Sequence, residues 1–304
     1  TGAAGNIGSA LVERLFTFTD YYIVAVDNFL TGNQTKLPDA EQPNFMFIKA
    51  DVNNYAEISS IMLSYKFDFV FHYAALVGVQ RTLENPIMVL NDIQGIKNIL
   101  DLSKNTGVKR VYYSSSSEVY GEPLEYPQNE QTTPLNSRLP YAIVKNVGEA
   151  FLRSYHKEFD LSYTIFRFFN TYGPRQSEDF VVTKFIKQAT RNEPLTIYGM
   201  GSQTRTFCYI EDNIDTTIAC LRKELCVNDV MNVGSDEEIT VKVLASKIIQ
   251  VTDSASKIVY LPALKEGDMS RRKPDITKMK AILGRPLISL EDGLKKTLNK
   301  RMFY

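Results

Sequence analysis

Gly2-Ala-Ala-Gly5-Asn6-Ile7-Gly8, then a helical pattern over residues 7–18, then Tyr22-Ile-Val-Ala-Val26-Asp27 is the stretch that decides the fold. The first glycines let the chain turn tightly and let backbone N–H groups approach a pyrophosphate. The third allows close helix–strand packing, and the helix N-terminus brings a positive dipole end. Three glycines in seven residues also make a plain turn. What lifts the motif above that is Asp27, which ends an apolar strand about 20 residues later. A carboxylate there accepts hydrogen bonds from a ribose diol and repels a 2′-phosphate. No Lys or Arg follows until Lys36, so NAD is favoured over NADP. Asn6 and Ile7 belong to the same turn, and Asp51, ending the next strand, is placed to accept from an adenine edge.

Outward from this stretch the first half alternates short β-rich runs with helical patterns. Phe45–Ala50, Asp68–Phe71, Arg110–Tyr113 and Tyr163–Arg167 read as strands; residues 55–64, 86–105 and 141–159 read as helices. The strands are uniformly apolar, which marks burial on both faces of a parallel sheet. The expected fold is α/β, a Rossmann-like doubly wound parallel sheet with a smaller, mixed C-terminal substrate lobe. After Asn170 turn signals crowd the chain at Gly173-Pro174, Asn192-Glu-Pro194, Gly199-Met-Gly201 and Gly267-Asp268. Met231–Gly234 looks like a strand that rejoins the first lobe. The expected division is 1–173 with 203–235 for the dinucleotide domain and 174–202 with 236–304 for the second lobe. A glycine turn at Thr1-Gly2 also calls for a short apolar strand before it, mid-sheet, so the sequence reads as a trimmed form of a slightly longer chain.

Composition excludes several classes. Lys+Arg and Asp+Glu both number 35, so no global field steers the chain to nucleic acid or a membrane surface. No apolar run approaches the roughly 18–20 residues of a membrane span. Cys208, Cys220 and Cys226 lack metal-ligand spacing and His72 and His156 are the two histidines, so no metal is expected and a reducing cytoplasm fits.

A second constellation carries chemistry. Tyr141 and Lys145 stand four apart, on one face of a helix. They follow a strand-like run ending Ser114-Ser-Ser116-Ser117-Glu118. Base, cation, hydroxyl and carboxylate together suit redox chemistry at a carbinol carbon. Tyrosine is a poor base at a pKa near 10, and lowering that by about three units takes roughly 4 kcal/mol. A nearby ammonium and a cationic nicotinamide stabilise the phenolate. Ser116 is placed to orient the substrate hydroxyl.

In this order the motifs resemble the extended short-chain dehydrogenase/reductase superfamily, and within it the NAD-dependent nucleotide-sugar epimerases, dehydratases and decarboxylases. The resemblance covers nearly the whole chain. It rests on Val26-Asp27-Asn28, His72-Tyr-Ala74-Ala75, Ser114–Gly121, Tyr141-x-x-x-Lys145, Arg167–Arg175, Pro194–Gly199, Gly201-Ser-Gln-Thr-Arg205 and Arg272-Lys-Pro-Asp275. It implies that Asn28, Val52, Ala74 and Ala75 join the NAD site, and that a nucleoside-diphosphate sugar, most readily a UDP-sugar, is the substrate. It implies Arg205, Arg272 and Asn170 at the diphosphate, Thr196 and Tyr198 at the base, and Arg81 beside the sugar. Helices 86–105 and 141–158 resemble the pairs that build a homodimer in this family.

Glu118 sets the expected subclass. Once C4 is a ketone, a carboxylate near C5 can remove its hydrogen and eliminate water across C5–C6, so a 4,6-dehydratase-type reaction leads. Ser117 stands where many glucose dehydratases carry an aspartate. UDP-glucuronate decarboxylase and UDP-sugar 4-epimerase are the alternatives, with a non-catalytic NAD-binding sensor behind them. The 201–205 and 271–275 segments look much like the decarboxylases, whereas Ala142-Ile-Val and Asn146 around Lys145 do not.

Overall fold

The computed structural model describes residues 1–39, 42–122, 124–263 and 271–300. In chain order the elements are α1 (Asn6–Phe16), β1 (Ile23–Asp27), β2 (Phe45–Lys49), α2 (Tyr55–Tyr65), β3 (Phe69–His72), α3 (Val79–Glu84), α4 (Pro86–Thr106) and β4 (Arg110–Ser116). A 3₁₀ turn, Ser117–Tyr120, leads on to α5 (Pro140–Phe159), β5 (Ser162–Phe168), β6 (Thr171–Tyr172), α6 (Val181–Thr190), β7 (Leu195–Tyr198) and β8 (Thr204–Thr206). Then come β9 (Cys208–Tyr209), α7 (Ile210–Arg222), β10 (Asp229–Val233), β11 (Glu238–Thr240), α8 (Val241–Val251), β12 (Ile258–Leu261), α9 (Thr277–Leu283) and α10 (Leu290–Lys300).

The main sheet is parallel throughout. β1 pairs with β2, while β3, β4, β5 and β10 pair side by side in that order. The first residues run between the two pieces: the Thr1 nitrogen donates to the Phe71 carbonyl at 2.8 Å and Ala3 N donates to Val26 O at 3.2 Å. Two apolar layers flank the sheet. Met62, Ile99, Val144 and Leu152 from α2, α4 and α5 form one; Leu11, Ile214 and Ile218 from α1 and α7 belong to the other. β4 is buried at every residue, which explains a seven-residue run with no polar alternation. The strands and helices anticipated in the first half are present, and β10 rejoins the sheet beside β5 as expected at 231–234.

After β6 the chain forms short pairs, and β8, within the 203–235 segment expected with the dinucleotide domain, pairs with β11 from the segment expected with the second lobe. β7 and β12 run parallel, β8 and β11 antiparallel, with α6, α8 and α10 around Leu195, Leu244 and Leu294. The turn expected at Gly267-Asp268 lies outside the described residues. No helix among the described residues is long and apolar enough to cross a membrane.

Parallel strands deliver their C-terminal ends to one edge of the sheet, and ligands of doubly wound folds bind there. Here that edge carries Asp27, Tyr73, Ser116 and Phe168, and the segments after β6 and α9's approach lie over it.

Candidate functional site

A cavity of about 590 Å³ lies along this edge, within the range of small-molecule sites. Its walls include Gly2, Gly5, Asn6, Ile7 and Gly8 at one end and Ser116, Ser117, Glu118, Tyr141, Lys145, Asn170 and Arg272 at the other. Asp27, Asn28, Asp51, Val52, Ala74, Ala75 and Arg81 line it between. Thus most residues singled out from the sequence meet in one hollow.

The glycine end is shaped by backbone contact. Gly2 has φ +68°, a region that side chains rarely adopt. A Cβ on Gly8 would stand 2.1 Å from the Gly2 carbonyl oxygen, which has nowhere to go. α1 starts at Asn6 without a side-chain cap, leaving its first N–H groups available to an anion. Asp27 is buried and accepts from Ala4 N at 2.9 Å and Phe29 N at 2.8 Å. It therefore holds the glycine turn as well as facing the cavity, and each oxygen keeps a further lone pair. Asp51 accepts from Asn28 Nδ2 at 3.2 Å and from Asn53 N at 2.8 Å.

At the other end α5 presents Tyr141 and Lys145 one turn apart. Ser116 Oγ accepts from Glu118 N at 3.2 Å and lines the same cavity as Tyr141. Burial pushes the phenol above its ordinary range; the Ser116 hydroxyl pulls down, and the Glu118 and Asp92 carboxylates push up further. The phenol on its own is therefore protonated at neutral pH. Lys145 does not touch the phenol oxygen. Its ammonium donates to Ser114 Oγ at 3.3 Å and lies 5.7 Å from the Tyr141 ring centre. Burial lowers Lys145 to about 8, and Asp92 pushes it back up. Asp92 is itself raised by burial and accepts from Leu76 N at 2.7 Å.

Glu118 Oε1 meets Arg272 at 2.6 Å, a contact between the end of β4 and the strand-like segment before α9. Its other oxygen, Oε2, is buried with no hydrogen-bond partner among the described residues. Ser117 is buried beside it.

Some expected residues lie elsewhere. Thr196 bonds Gln188, Tyr198 is partly exposed with the Lys184 ammonium 5.1 Å from its ring centre, and Arg205 donates to the Thr204 carbonyl at 2.7 Å. None of the three lines the cavity. Arg81, expected beside the sugar, lines the cavity but pairs with Asp179 at 2.7 Å and donates to the Val77 carbonyl at 2.9 Å. Asp92, Asp179 and Lys36 also line the cavity and were not anticipated. For Asp92 a signal existed: a carboxylate among the apolar positions of a long helix. Asp179, in a polar loop, offered none.

Comparison with known proteins adds the context. The model of a family described as "NAD dependent epimerase/dehydratase family" matches residues 1–234. The chain is 36% identical to UDP-glucuronic acid decarboxylase 4 of Arabidopsis thaliana over 100% of this chain and 68% of that protein. It is 34% identical to a UDP-N-acetyl-alpha-D-glucosaminuronate decarboxylase of Bacillus cytotoxicus, over 98% of this chain and 95% of that one. The structure superposes on UDP-glucuronic acid 4-epimerase from Bacillus cereus, in complex with UDP-glucuronic acid and NAD, with a TM-score of 0.89. Identity there is 31%, over 98% of this chain and 96% of that one.

Proposed function

As the chain belongs to the NAD dependent epimerase/dehydratase family, we propose that it is an NAD-dependent nucleotide-sugar enzyme that decarboxylates a UDP-uronic acid by way of C4 oxidation. The glycine end fits NAD: uncapped helix N–H groups for the pyrophosphate, Gly8 with no room for a side chain, and Asp27 for a ribose diol. Bound there, NAD would supply a hydride acceptor for C4 oxidation and a hydride donor for the later reduction.

Tyr141 takes the C4 hydroxyl proton while Ser116 orients that hydroxyl. Lys145, protonated below about 8, and the added positive charge of the cofactor draw the phenol toward phenolate. The C4 ketone makes the C5 carboxylate part of a β-keto acid. The C5–carboxyl bond then breaks, CO₂ leaves, and its electron pair passes into the C4–C5 enolate. C5 takes up one proton, and Tyr141 returns its proton as C4 is reduced. The balance is one uronate plus one proton to one pentoside plus CO₂.

The observation that carries this over dehydration is the Glu118–Arg272 contact. Elimination of water requires a free base for C5–H and an acid for the leaving hydroxyl. Arg272 already occupies one oxygen of Glu118, and Ser117 offers no acidic proton. Decarboxylation requires neither, and Arg272 supplies a cation beside the developing enolate. The decarboxylase relatives support the same reading. Dehydration stays as the second reading because Glu118 Oε2 is buried with no partner among the described residues, as a C5 base would be. A UDP-sugar is the proposed partner. A homodimer through α4 and α5 is proposed as well, since Ile87, Met88 and Leu90 on α4 and Ile143 on α5 are exposed in the single chain.

The test is a panel of UDP-glucuronate, UDP-glucose, dTDP-glucose and UDP-galactose. CO₂ with a UDP-pentose from the first is expected. A 4-keto-6-deoxy sugar from either glucose nucleotide, without CO₂ from the uronate, would replace this reading by dehydration, and a C4 epimer alone by epimerisation.

Two substitutions test the machinery. Gly8→Ala forces a Cβ onto the Gly2 carbonyl and should raise the NAD dissociation constant by about tenfold or more, about 1.4 kcal/mol. Calorimetric titration reads it directly. Asp92→Asn removes the carboxylate that favours the Lys145 cation. Protonated Lys145 is present below its pKa and lost as pH rises through it, so the alkaline limb of kcat/KM should move below about 8. An unmoved limb would assign it to another group.

A further inference from the structure

Behind the cavity wall lies a buried ion pair that the mechanism above does not use. Arg167 on β5 and Glu149 on α5 are nearly inaccessible and meet through two contacts, Nε–Oε1 at 2.8 Å and Nη2–Oε2 at 2.7 Å. The pair reaches both sides of the segment that carries Ser116, Ser117 and Glu118. On one side Ser115 donates to Glu149 Oε1 at 2.6 Å. On the other Arg167 Nη1 donates to the Tyr120 hydroxyl at 2.8 Å, and that hydroxyl donates to Asn232 Oδ1 at 2.7 Å. Tyr120 ends the same 3₁₀ turn as Glu118, which Gly121 N closes on the Glu118 carbonyl at 3.0 Å. Glu149 also shares a helix and a face with Tyr141 and Lys145, at successive i+4 positions.

We propose that Glu149 and Arg167, acting through the Tyr120 hydroxyl, are positioning residues that fix the Ser117–Tyr120 turn and so hold Glu118 against Arg272. The Ser115 contact anchors the strand side, where Ser116 lines the cavity with Tyr141. The Tyr120 contact anchors the far side, where Glu118 meets Arg272. Loss of the Tyr120 hydroxyl therefore acts on Glu118 while Ser115 keeps Ser116 in place. A buried polar network satisfied in this way over-determines one geometry, and a displacement of about 1 Å at a reacting group can slow a step by about 10²-fold.

The kinetic part rests on the proposed role of Arg272, which Glu118 holds, after C4 oxidation; the structural part does not. Tyr120→Phe keeps the ring and removes one oxygen. Its crystal structure is expected to show Glu118 moved off Arg272 with Tyr141 and Ser116 in place; an unmoved Glu118–Arg272 contact overturns the proposal. In single turnover with UDP-glucuronate, quenched with borodeuteride to trap the 4-keto sugar, ketone formation should stay within about threefold and completion should slow by about tenfold or more. Equal slowing of both phases also overturns it, since general loosening acts on both. Arg167→Lys, which keeps charge against Glu149 but not the reach to Tyr120, is the second variant should the first not fold, with the same expected displacement. If no sugar of the panel reacts with the unaltered enzyme, the proposed function has failed and the crystal structure still decides this point.

Discussion

Tyr141→Phe is expected to lower turnover by about 10²–10⁴-fold while NAD and nucleotide-sugar affinities hold within about threefold. The substitution removes one oxygen from a buried ring and leaves its packing in place. That oxygen shares the cavity wall with Ser116, whose hydroxyl pulls the phenol pKa down, as a proton acceptor for the C4 hydroxyl requires. Burial and the carboxylates of Glu118 and Asp92 hold the phenol protonated on its own, against the Ser116 hydroxyl and the Arg272 cation, so its basicity depends on charge brought by the cofactor. Stopped-flow kinetics with calorimetric binding separates the two effects. Retained turnover would remove Tyr141 from the chemistry, and lost binding would make it a structural residue.

Arg167→Met should lower folding stability by roughly 3–5 kcal/mol, the typical consequence of stranding one member of a buried pair. Glu149 would keep Arg153, at 2.9 Å, but that guanidinium is 44% exposed and cannot replace two buried contacts. Tyr120 would lose a donor at the same time. The double variant Glu149→Leu with Arg167→Met removes both charges and should recover much of the loss, because burying a pair gains little over apolar replacements. Urea denaturation of the four proteins closes the cycle. A small effect in the single variant would mean that water reaches Glu149.

The first half was legible for physical reasons. Strands such as Ile23–Asp27 are largely buried, and burial there writes itself as continuous apolar sequence up to Val26; in Arg110–Ser116 the same signal is confined to Val111–Tyr113. Local spacing placed Tyr141 and Lys145 on one face of α5. The second lobe was less legible, since β8–β11 and β7–β12 are short pairs formed between segments distant in sequence. The same distance hid the charge pairs. Nothing near Glu118 announces Arg272, and nothing near Arg81 announces Asp179. Those pairings alter the functional reading most, because they turn Glu118 from a free base into one half of an ion pair. Thr196, Tyr198 and Arg205, named by resemblance, lie on β7 and β8, off the cavity wall.

The most direct test follows carbon and hydrogen together, using UDP-glucuronate deuterated at C4 and labelled in its carboxyl carbon. One labelled CO₂ per UDP-pentose, with deuterium retained at C4, is the predicted result, since the hydride leaves and returns within one active site. A pentose that has lost its deuterium, or turnover that leaves the carboxyl label on the sugar, would contradict the account.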